Sequence, residues 1–150
     1  VVLIGERGTG KSTFAQLIHK WSRRKNASFC SYHCANLLPE ILEVNLFGSR
    51  AGAFTGALNR EGVLKQYDGG TVLLYSLESC PLKVQSKFLD VVEKKAFRMV
   101  GDKKIIKKDI RFIASINEDS DVLLREKRLR PDFWDRLAIQ TIHLTALSQR

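Results

Sequence analysis

The chain has 150 residues, of which 44% are apolar and 27% are charged. This balance is ordinary for a soluble globular domain, and no run approaches the roughly 20 apolar residues that a membrane-spanning helix needs. The net charge of +9 favours polyanions in general, including nucleotides and nucleic acids.

Hydrophobic periodicity predicts alternating strands and helices. In chain order we predict strands at residues 1–4, 28–32, 71–74, 110–116 and 139–144. Helices are predicted at 11–24, with Trp21 in its buried stripe, then at 36–47, with Asn36 as a cap, and at 81–95, 121–127 and 131–137. Residues 48–62 are predicted to form a glycine-rich functional loop, and Gly101-Asp102 a hairpin turn. Such alternation implies an α/β fold, with a mostly parallel five-stranded sheet between helices.

Cysteine usage indicates a reducing compartment, so we expect a cytoplasmic protein with no membrane partner. The three cysteines cannot pair completely, and Cys30 and Cys34, with His33 between them, lack the second cluster that a zinc site needs. In an extended segment both thiols share one face, which predicts core packing. Because the sequence opens on an apolar strand and stops abruptly at Arg150, we also expect a piece of a longer protein.

Residues 5–12, GERGTGKS, fit the phosphate-binding pattern G-x-x-x-x-G-K-[ST] between the first strand and the first helix. Glycines allow successive amides to face phosphate oxygens, and the helix N-terminus adds positive charge. Lys11 is expected to reach the β- and γ-phosphates, and Ser12 to offer its hydroxyl to Mg²⁺. The sequence therefore predicts a nucleotide site formed by Gly5, Glu6, Arg7, Gly8, Thr9, Gly10, Lys11, Ser12 and Thr13.

The hexapeptide GAFTGA at residues 52–57 lies downstream of this loop. With both motifs, and with Asp68-Gly69-Gly70-Thr71 and residues 130–137, the chain resembles the AAA+ domain of sigma-54-dependent transcriptional activators over nearly all its length. The resemblance implies a P-loop NTPase core whose helical lid would lie outside these residues, with ATP and Mg²⁺ as ligands. It also implies a ring, most often a hexamer, and DNA binding only through other domains. Sigma-54 RNA polymerase would be contacted through Gly52, Ala53, Phe54, Thr55, Gly56 and Ala57, with Phe54 and Thr55 mattering most.

The resemblance assigns catalytic roles to three further residues. Asn117, at the end of a predicted strand, matches the residue that senses the γ-phosphate; it could also be a helix cap before Glu118 and Asp119, and the two roles are compatible. Arg130 and Arg136 match the arginines that reach a neighbouring subunit's nucleotide, where a planar charged fork suits phosphate oxygens. Either arginine could instead be an exposed helix charge.

The sequence departs from the family where the strand after Asp-Gly-Gly-Thr normally ends in Asp-Glu, the Walker B acids. Here Tyr75 and Ser76 occupy these positions, and near neutral pH neither replaces a carboxylate as a base or metal partner. We therefore predict impaired hydrolysis. Glu78 would substitute only if the chain turned back after the strand. His33 stands where the family has the Asn that couples to the missing Glu, and Ser49-Arg50 where it commonly has His-Glu.

Two other functions stay open at this point. One is a regulatory module that binds ATP without hydrolysing it. The other is a basic nucleic-acid-binding module with a relic phosphate loop. The latter is favoured by four lysines on the predicted hairpin, against the alternative of a solvated hairpin: Lys103, Lys104, Lys107 and Lys108.

Overall fold

The computed structural model describes residues 1–35 and 38–146. The strands are β1 (Val2–Ile4), β2 (Phe29–His33), β3 (Gly48–Ser49), β4 (Arg60–Glu61), β5 (Thr71–Tyr75), β6 (Ala96–Phe97), β7 (Ile106–Lys107), β8 (Arg111–Ile116) and β9 (Thr141–His143). The helices are α1 (Lys11–Lys20), α2 (Pro39–Phe47), α3 (Val63–Gln66), α4 (Leu82–Lys94), α5 (Ser120–Arg125) and α6 (Pro131–Leu137). A 3-10 turn, Leu77–Ser79, joins β5 to α4.

Five strands form one parallel sheet in the order β2-β5-β8-β1-β9, which confirms the predicted architecture. Tyr75 of β5 lies beside His33 of β2 and Ser115 of β8, while Ile4 of β1 lies beside Ile116 of β8. Because the strands are parallel, their carboxyl ends meet at one edge of the sheet. The residues that directly follow β1, β2, β5 and β8, such as Gly8, Ala35, Glu78 and Asn117, therefore meet at a common cleft.

Helices cover both faces of the sheet. Successive strand residues point to opposite sides, and apolar residues on both sides need to be buried. On one face, Val72 and Leu74 of β5 belong to the larger core, which α2, α4 and α6 cover. On the other face, Leu73 packs with Ala15 of α1. The same strand is thus buried on both sides, as its continuous apolar run predicts.

The first helix is shorter than predicted, and only part of its predicted apolar stripe faces the core. It ends at Lys20, and Trp21, predicted in the buried stripe, is 81% exposed. Its buried residues beyond Lys11 are Ala15 and His19, and His19 Nδ1 lies 2.9 Å from Thr71 Oγ1. Since Ala15 and His19 are four residues apart, they occupy one helix face. Because this face of the helix points to the core, Trp21 lies on the opposite, solvent-facing side. The prediction that Trp21 belongs to the buried stripe is therefore wrong.

The second helix begins at Pro39, with Leu38 in the cap position. Asn36, the predicted cap, lies outside the described residues. Just before that gap, Cys34 is buried and Cys30 packs against the same core, which confirms the predicted packing of these cysteines. In the described ranges, no three or more His, Cys, Asp or Glu side chains group to hold a metal ion. None of the described helices has both the length and the apolar composition that crossing a bilayer would require.

Residues 48–62 are more regular than the predicted loop, because β3 and β4 pair as an antiparallel stem. Gly48 has a φ of +84°, and a Cβ there would lie 2.5 Å from the Arg60 carbonyl oxygen. Glycine thus allows the two backbones to approach. Both ends of the predicted glycine-rich loop therefore form short strands, and the predicted hairpin around Gly101-Asp102 is confirmed by the pairing of β6 with β7.

Candidate nucleotide site and GAFTGA hairpin

The phosphate-binding motif forms a glycine-dependent loop between β1 and α1. Gly8 and Gly10 have φ angles of +82° and +83°, a left-handed conformation that costs other residues about 1–2 kcal/mol. Gly5 allows a close approach, since a Cβ there would lie 2.4 Å from the Leu144 carbonyl oxygen. The motif's glycines are therefore required by backbone geometry, independently of any ligand.

Lys11 opens α1 with its ammonium group inside this loop. Its Nζ donates hydrogen bonds to the carbonyl oxygens of Gly5 at 2.6 Å and Glu6 at 2.7 Å. Burial lowers the pKa of Lys11, and attraction to the Glu78 carboxylate raises it in part. A partly desolvated cation at a helix N-terminus forms an anion site, and phosphate suits it.

A cleft of about 580 Å³ opens at the carboxyl edge of the sheet. Predicted site residues that line it are Arg7, Gly8, Gly10, Lys11, Ser12 and Asn117. The predicted residues Gly5, Glu6, Thr9 and Thr13 are not among its lining. Sequence reasoning missed Ala35, Ser79 and Ser115, which also line it. Ser115 could have been identified from the register of β5 and β8, which places it beside Tyr75.

At the end of β5, the two positions that align with the Walker B acids, Tyr75 and Ser76, hold no carboxylate. The imidazole of His33 stacks on the Tyr75 ring, with centroids 4.3 Å apart and planes at 14°. His33 Nε2 also lies within hydrogen-bonding distance of Ser76 Oγ, at 3.1 Å. All three side chains line the cleft, so an aromatic pair and a hydroxyl occupy this wall.

The chain turns back after β5 and returns Glu78 to the cleft. Ser76 has a φ of +56°, in the left-handed region, and the 3-10 turn follows directly. Glu78 is 9% exposed and lines the cleft. Asn117 Nδ2 donates to Glu78 Oε1 at 2.5 Å, whereas Oε2 is buried with no hydrogen-bond partner within the described residues. The chain therefore turns back after β5 as Glu78 requires, and the Glu78 carboxylate lies in the cleft.

Asn117 lies in the cleft, but it does not cap the next helix. The cap of α5 is Asp119, whose Oδ1 accepts from the Asp121 amide at 2.7 Å. The alternative of Asn117 as a helix cap is wrong, because its side chain turns to Glu78 and to Ser76 Oγ, 3.4 Å away.

Arg130 is the N-cap residue of α6 and Arg136 lies in its last turn, and neither lines the cleft. Arg130 pairs with Asp132 at 2.7 Å, and Arg136 pairs with Glu93 at 2.7 Å. Both guanidinium groups are substantially exposed, so they remain accessible on the surface of this chain.

GAFTGA forms the tip of the hairpin whose stem is β3 and β4. Gly52 and Gly56 have φ angles of +82° and +81°, and the Ala57 amide donates to the Phe54 carbonyl at 3.0 Å. Phe54 is 49% exposed and Leu58 76% exposed, whereas Ala57 is buried. The tip therefore presents an aromatic and an aliphatic side chain to solvent on a turned backbone.

The β6–β7 hairpin braces this tip. Arg50 Nε lies 2.8 Å from Asp102 Oδ2, and the Arg50 amide donates to the Val100 carbonyl at 3.0 Å. Of the four lysines of the basic alternative, Lys108 pairs with Asp68 at 3.3 Å. The other three are exposed, as on any solvated hairpin.

Residues 1–143 match the family described as the Sigma-54 interaction domain. The whole chain is 40% identical to the transcriptional activator RocR of Bacillus subtilis (strain 168) and 39% identical to the Psp operon transcriptional activator of Escherichia coli (strain K12). It spans 32% and 46% of the length of these relatives.

Among solved structures, NtrX from Brucella abortus in complex with ADP superposes with a TM-score of 0.90 at 30% identity, covering 99% of this chain and 32% of NtrX. The P-loop NTPase domain of an E. coli protein described as a sigma-54 transport activator, 18% identical with a TM-score of 0.62, shares the fold; the match covers 98% of this chain and 83% of that one. The chain therefore belongs to the sigma-54 interaction domain family, as its resemblance predicts.

Proposed function

We propose that this chain is the ATP-binding AAA+ domain of a sigma-54-dependent transcriptional regulator. The observation that carries the proposal is the presence, in one member of this family, of a glycine-turned phosphate loop lining a cleft and an exposed GAFTGA tip. The loop would bind nucleotide, and the tip would contact sigma-54. We further propose that the protein acts in the cytoplasm and meets DNA only through domains outside these residues.

Nucleotide binding is assigned to residues 5–13. Lys11 would leave the carbonyl oxygens of Gly5 and Glu6 for the β- and γ-phosphates, which carry full negative charge. Ser12 lines the same cleft and would hold Mg²⁺ together with phosphate oxygens, since this ion prefers oxygen ligands. Bound there, Mg²⁺ would neutralise charge on the phosphates.

Hydrolysis is proposed to be slow. Tyr75 and Ser76 supply no carboxylate at the strand end, and the stacked His33 fills the space beside them. Loss of a general base typically costs 10²–10⁴ in rate. From a typical turnover near 10 s⁻¹, about 0.001–0.1 s⁻¹ would remain. If hydrolysis is absent altogether, ATP would only order the domain. The lack of carboxylates at Tyr75 and Ser76 favours this second function as well.

Arg130 and Arg136 are proposed to act on a neighbouring subunit's nucleotide in a ring, which we propose is a hexamer. Within one chain they pair with Asp132 and Glu93 instead of lining the cleft. An arginine that serves another subunit needs to lie at the surface, where it meets phosphate oxygens in bidentate fashion. Their exposure supports this role.

The proposal is tested by measuring ATP binding and sigma-54 binding on one protein. ATP at a hundredfold excess over its dissociation constant is expected to raise the free energy of unfolding by about 2.7 kcal/mol. Lys11→Ala should abolish this gain. Phe54→Ala and Thr55→Ala should each weaken binding to purified sigma-54, while ATP still stabilises both variants.

Ile139→Ala is the control for the tip variants, because Ile139 is an exposed apolar residue outside the hairpin. Absence of any stabilisation by ATP in the unaltered protein would refute the nucleotide assignment. Equal sigma-54 binding by Phe54→Ala, Thr55→Ala and Ile139→Ala would refute the role of the tip.

A further inference from the structure

Among the cleft-lining side chains that the structure describes, Glu78 carries a buried oxygen atom without a hydrogen-bond partner. Its Oε1 accepts from Asn117 Nδ2, but its Oε2 is buried without a partner among the described residues. Burying a carboxylate oxygen without a hydrogen bond is costly, and such atoms in folded proteins are usually paired with protein groups or water. The free oxygen therefore indicates a partner outside the residues that the structure describes.

The position of Glu78 is fixed by buried neighbours and by backbone hydrogen bonds within its turn. Leu77 and Cys80, on either side, are both buried in the larger core. The Ser79 amide donates to the Ser76 carbonyl at 3.0 Å, and the Cys80 amide to the Leu77 carbonyl at 2.9 Å. The left-handed Ser76 starts this turn, and strained backbone of this kind is concentrated at functional sites.

The charge of the cleft decides what the free oxygen would contact. Glu78 lines the same cleft as Lys11, whose ammonium would face the γ-phosphate of a bound nucleotide. A carboxylate is repelled by phosphate oxygens at close range, because both are anionic. A water molecule between them would instead donate one hydrogen bond to the carboxylate and keep its oxygen lone pair for the phosphorus. The geometry therefore favours a water-binding role over a phosphate-binding one.

We propose that Glu78 is the catalytic base for the remaining ATP hydrolysis, replacing from the 3-10 turn the carboxylate that β5 lacks; this rests on the proposed function. The water oxygen forms a bond to the γ-phosphorus as the bond to the β,γ-bridging oxygen breaks. The electron pair leaves on ADP, and the water proton passes to Glu78 and then to solvent. Asn117 acts as a positioning residue, since its amide fixes the other carboxylate oxygen.

The experiment uses the purified protein and compares Glu78→Gln with the unaltered chain. We expect ATP turnover to fall at least about tenfold, in line with the loss of a general base. ADP affinity should stay within about threefold, whereas affinity for ADP with aluminium fluoride, which mimics the transferring phosphoryl group and its water, should fall about tenfold or more. Ser76→Glu added to Glu78→Gln should restore turnover, because it returns a carboxylate to the strand end.

Glu40→Gln is the matched control, because Glu40 is an exposed carboxylate on α2 outside the cleft lining. The inference is overturned if Glu78→Gln keeps full turnover, or if the unaltered protein turns over no faster than Lys11→Ala. It is also overturned if Glu78→Gln loses ADP binding, or needs more Mg²⁺ to bind ADP, since Glu78 would then serve the fold or the metal. In all these cases the proposed nucleotide binding stands; it fails only if the unaltered protein binds no ATP.

Discussion

His33 stacks face to face on Tyr75 at a centroid distance of 4.3 Å, across the boundary between β2 and β5. Such a pair contributes about 0.5–1.5 kcal/mol beyond its area. The resemblance implies, at positions 33 and 76, an Asn and the Glu to which it couples; here His33 stacks on Tyr75 and its Nε2 lies 3.1 Å from Ser76 Oγ. The two substitutions are therefore structurally coupled, and His33 has a packing role that does not depend on nucleotide.

Restoring the acids is the first prediction. Tyr75→Asp with Ser76→Glu should raise ATP turnover by about 10²–10⁴, because a carboxylate base returns to the strand end. Adding His33→Asn should not lower that gain, since the stacking partner is already gone. Initial rates of phosphate release measure the effect. The matched control is Tyr75→Asn with Ser76→Gln, which has similar shape and no charge; an equal gain in this control would contradict the explanation.

The second prediction concerns Gln85, whose side chain bonds both to the turn after β5 and to residues 128–130, which lead into α6. Its Nε2 donates to the carbonyl oxygens of Cys80 at 2.7 Å and Arg128 at 2.8 Å, and its Oε1 accepts from the Arg130 amide at 2.9 Å. Gln85→Met keeps the volume and removes these bonds, so it should lower the free energy of unfolding by about 1–3 kcal/mol. Urea unfolding measures the loss. Gln66→Met, at an exposed position, should change stability little, and equal losses would contradict the prediction.

The third prediction is a pH dependence at Glu43, which is buried beside Lys83 at 2.9 Å and Lys87 at 2.5 Å. Burial raises the pKa of Glu43, but the two lysines outweigh this effect and lower the pKa overall. A carboxyl group whose folded pKa is depressed stabilises the fold above its unfolded pKa, about 4.3, and loses that contribution as the pH falls through the folded pKa.

Glu43→Gln should therefore cost about 1–3 kcal/mol at pH 7, and the gap to the unaltered protein should narrow below about pH 4. Urea unfolding across pH 3–7 measures both quantities. Glu40→Gln, exposed on the same helix, should show no such gap. A gap for Glu43→Gln that stays constant with pH would contradict the role of its ionised form.

The fourth prediction separates backbone strain from a steric clash at the GAFTGA tip. Gly69 and Gly101 have φ angles of +74° and +75°, but only at Gly101 would a Cβ meet a neighbour, 2.4 Å from the Ala53 Cβ. Gly69→Ala should cost about 1–2 kcal/mol through φ alone, and Gly101→Ala should cost more. Adding Ala53→Gly to Gly101→Ala should recover only part of the difference, because the new Cβ would still lie 2.8 Å from the Cα of residue 53. Urea unfolding of the three variants is the measurement; equal losses at the two glycines would rule out the clash.

The local parts of the site follow from the sequence. The phosphate loop is a run of adjacent residues whose glycines are needed by their own backbone angles, so its place between β1 and α1 was predictable. The position of Asn117 directly after an apolar strand can likewise be predicted from the sequence. So can the absence of acids at positions 75 and 76. Trp21 was misplaced because periodicity gives a helix a stripe, whereas its rotation depends on what the helix packs against.

Tertiary structure alone decided where Glu78 lies. Its partner Asn117 is 39 residues away, and the contact depends on β5 and β8 being neighbours and on a left-handed Ser76 that no propensity favours. The sequence determined which chemical groups this chain owns and the order of its strands and helices, because these depend on near neighbours along the chain. Which of those groups share one cleft was set by strand register and by one strained turn, because both depend on contacts between distant residues.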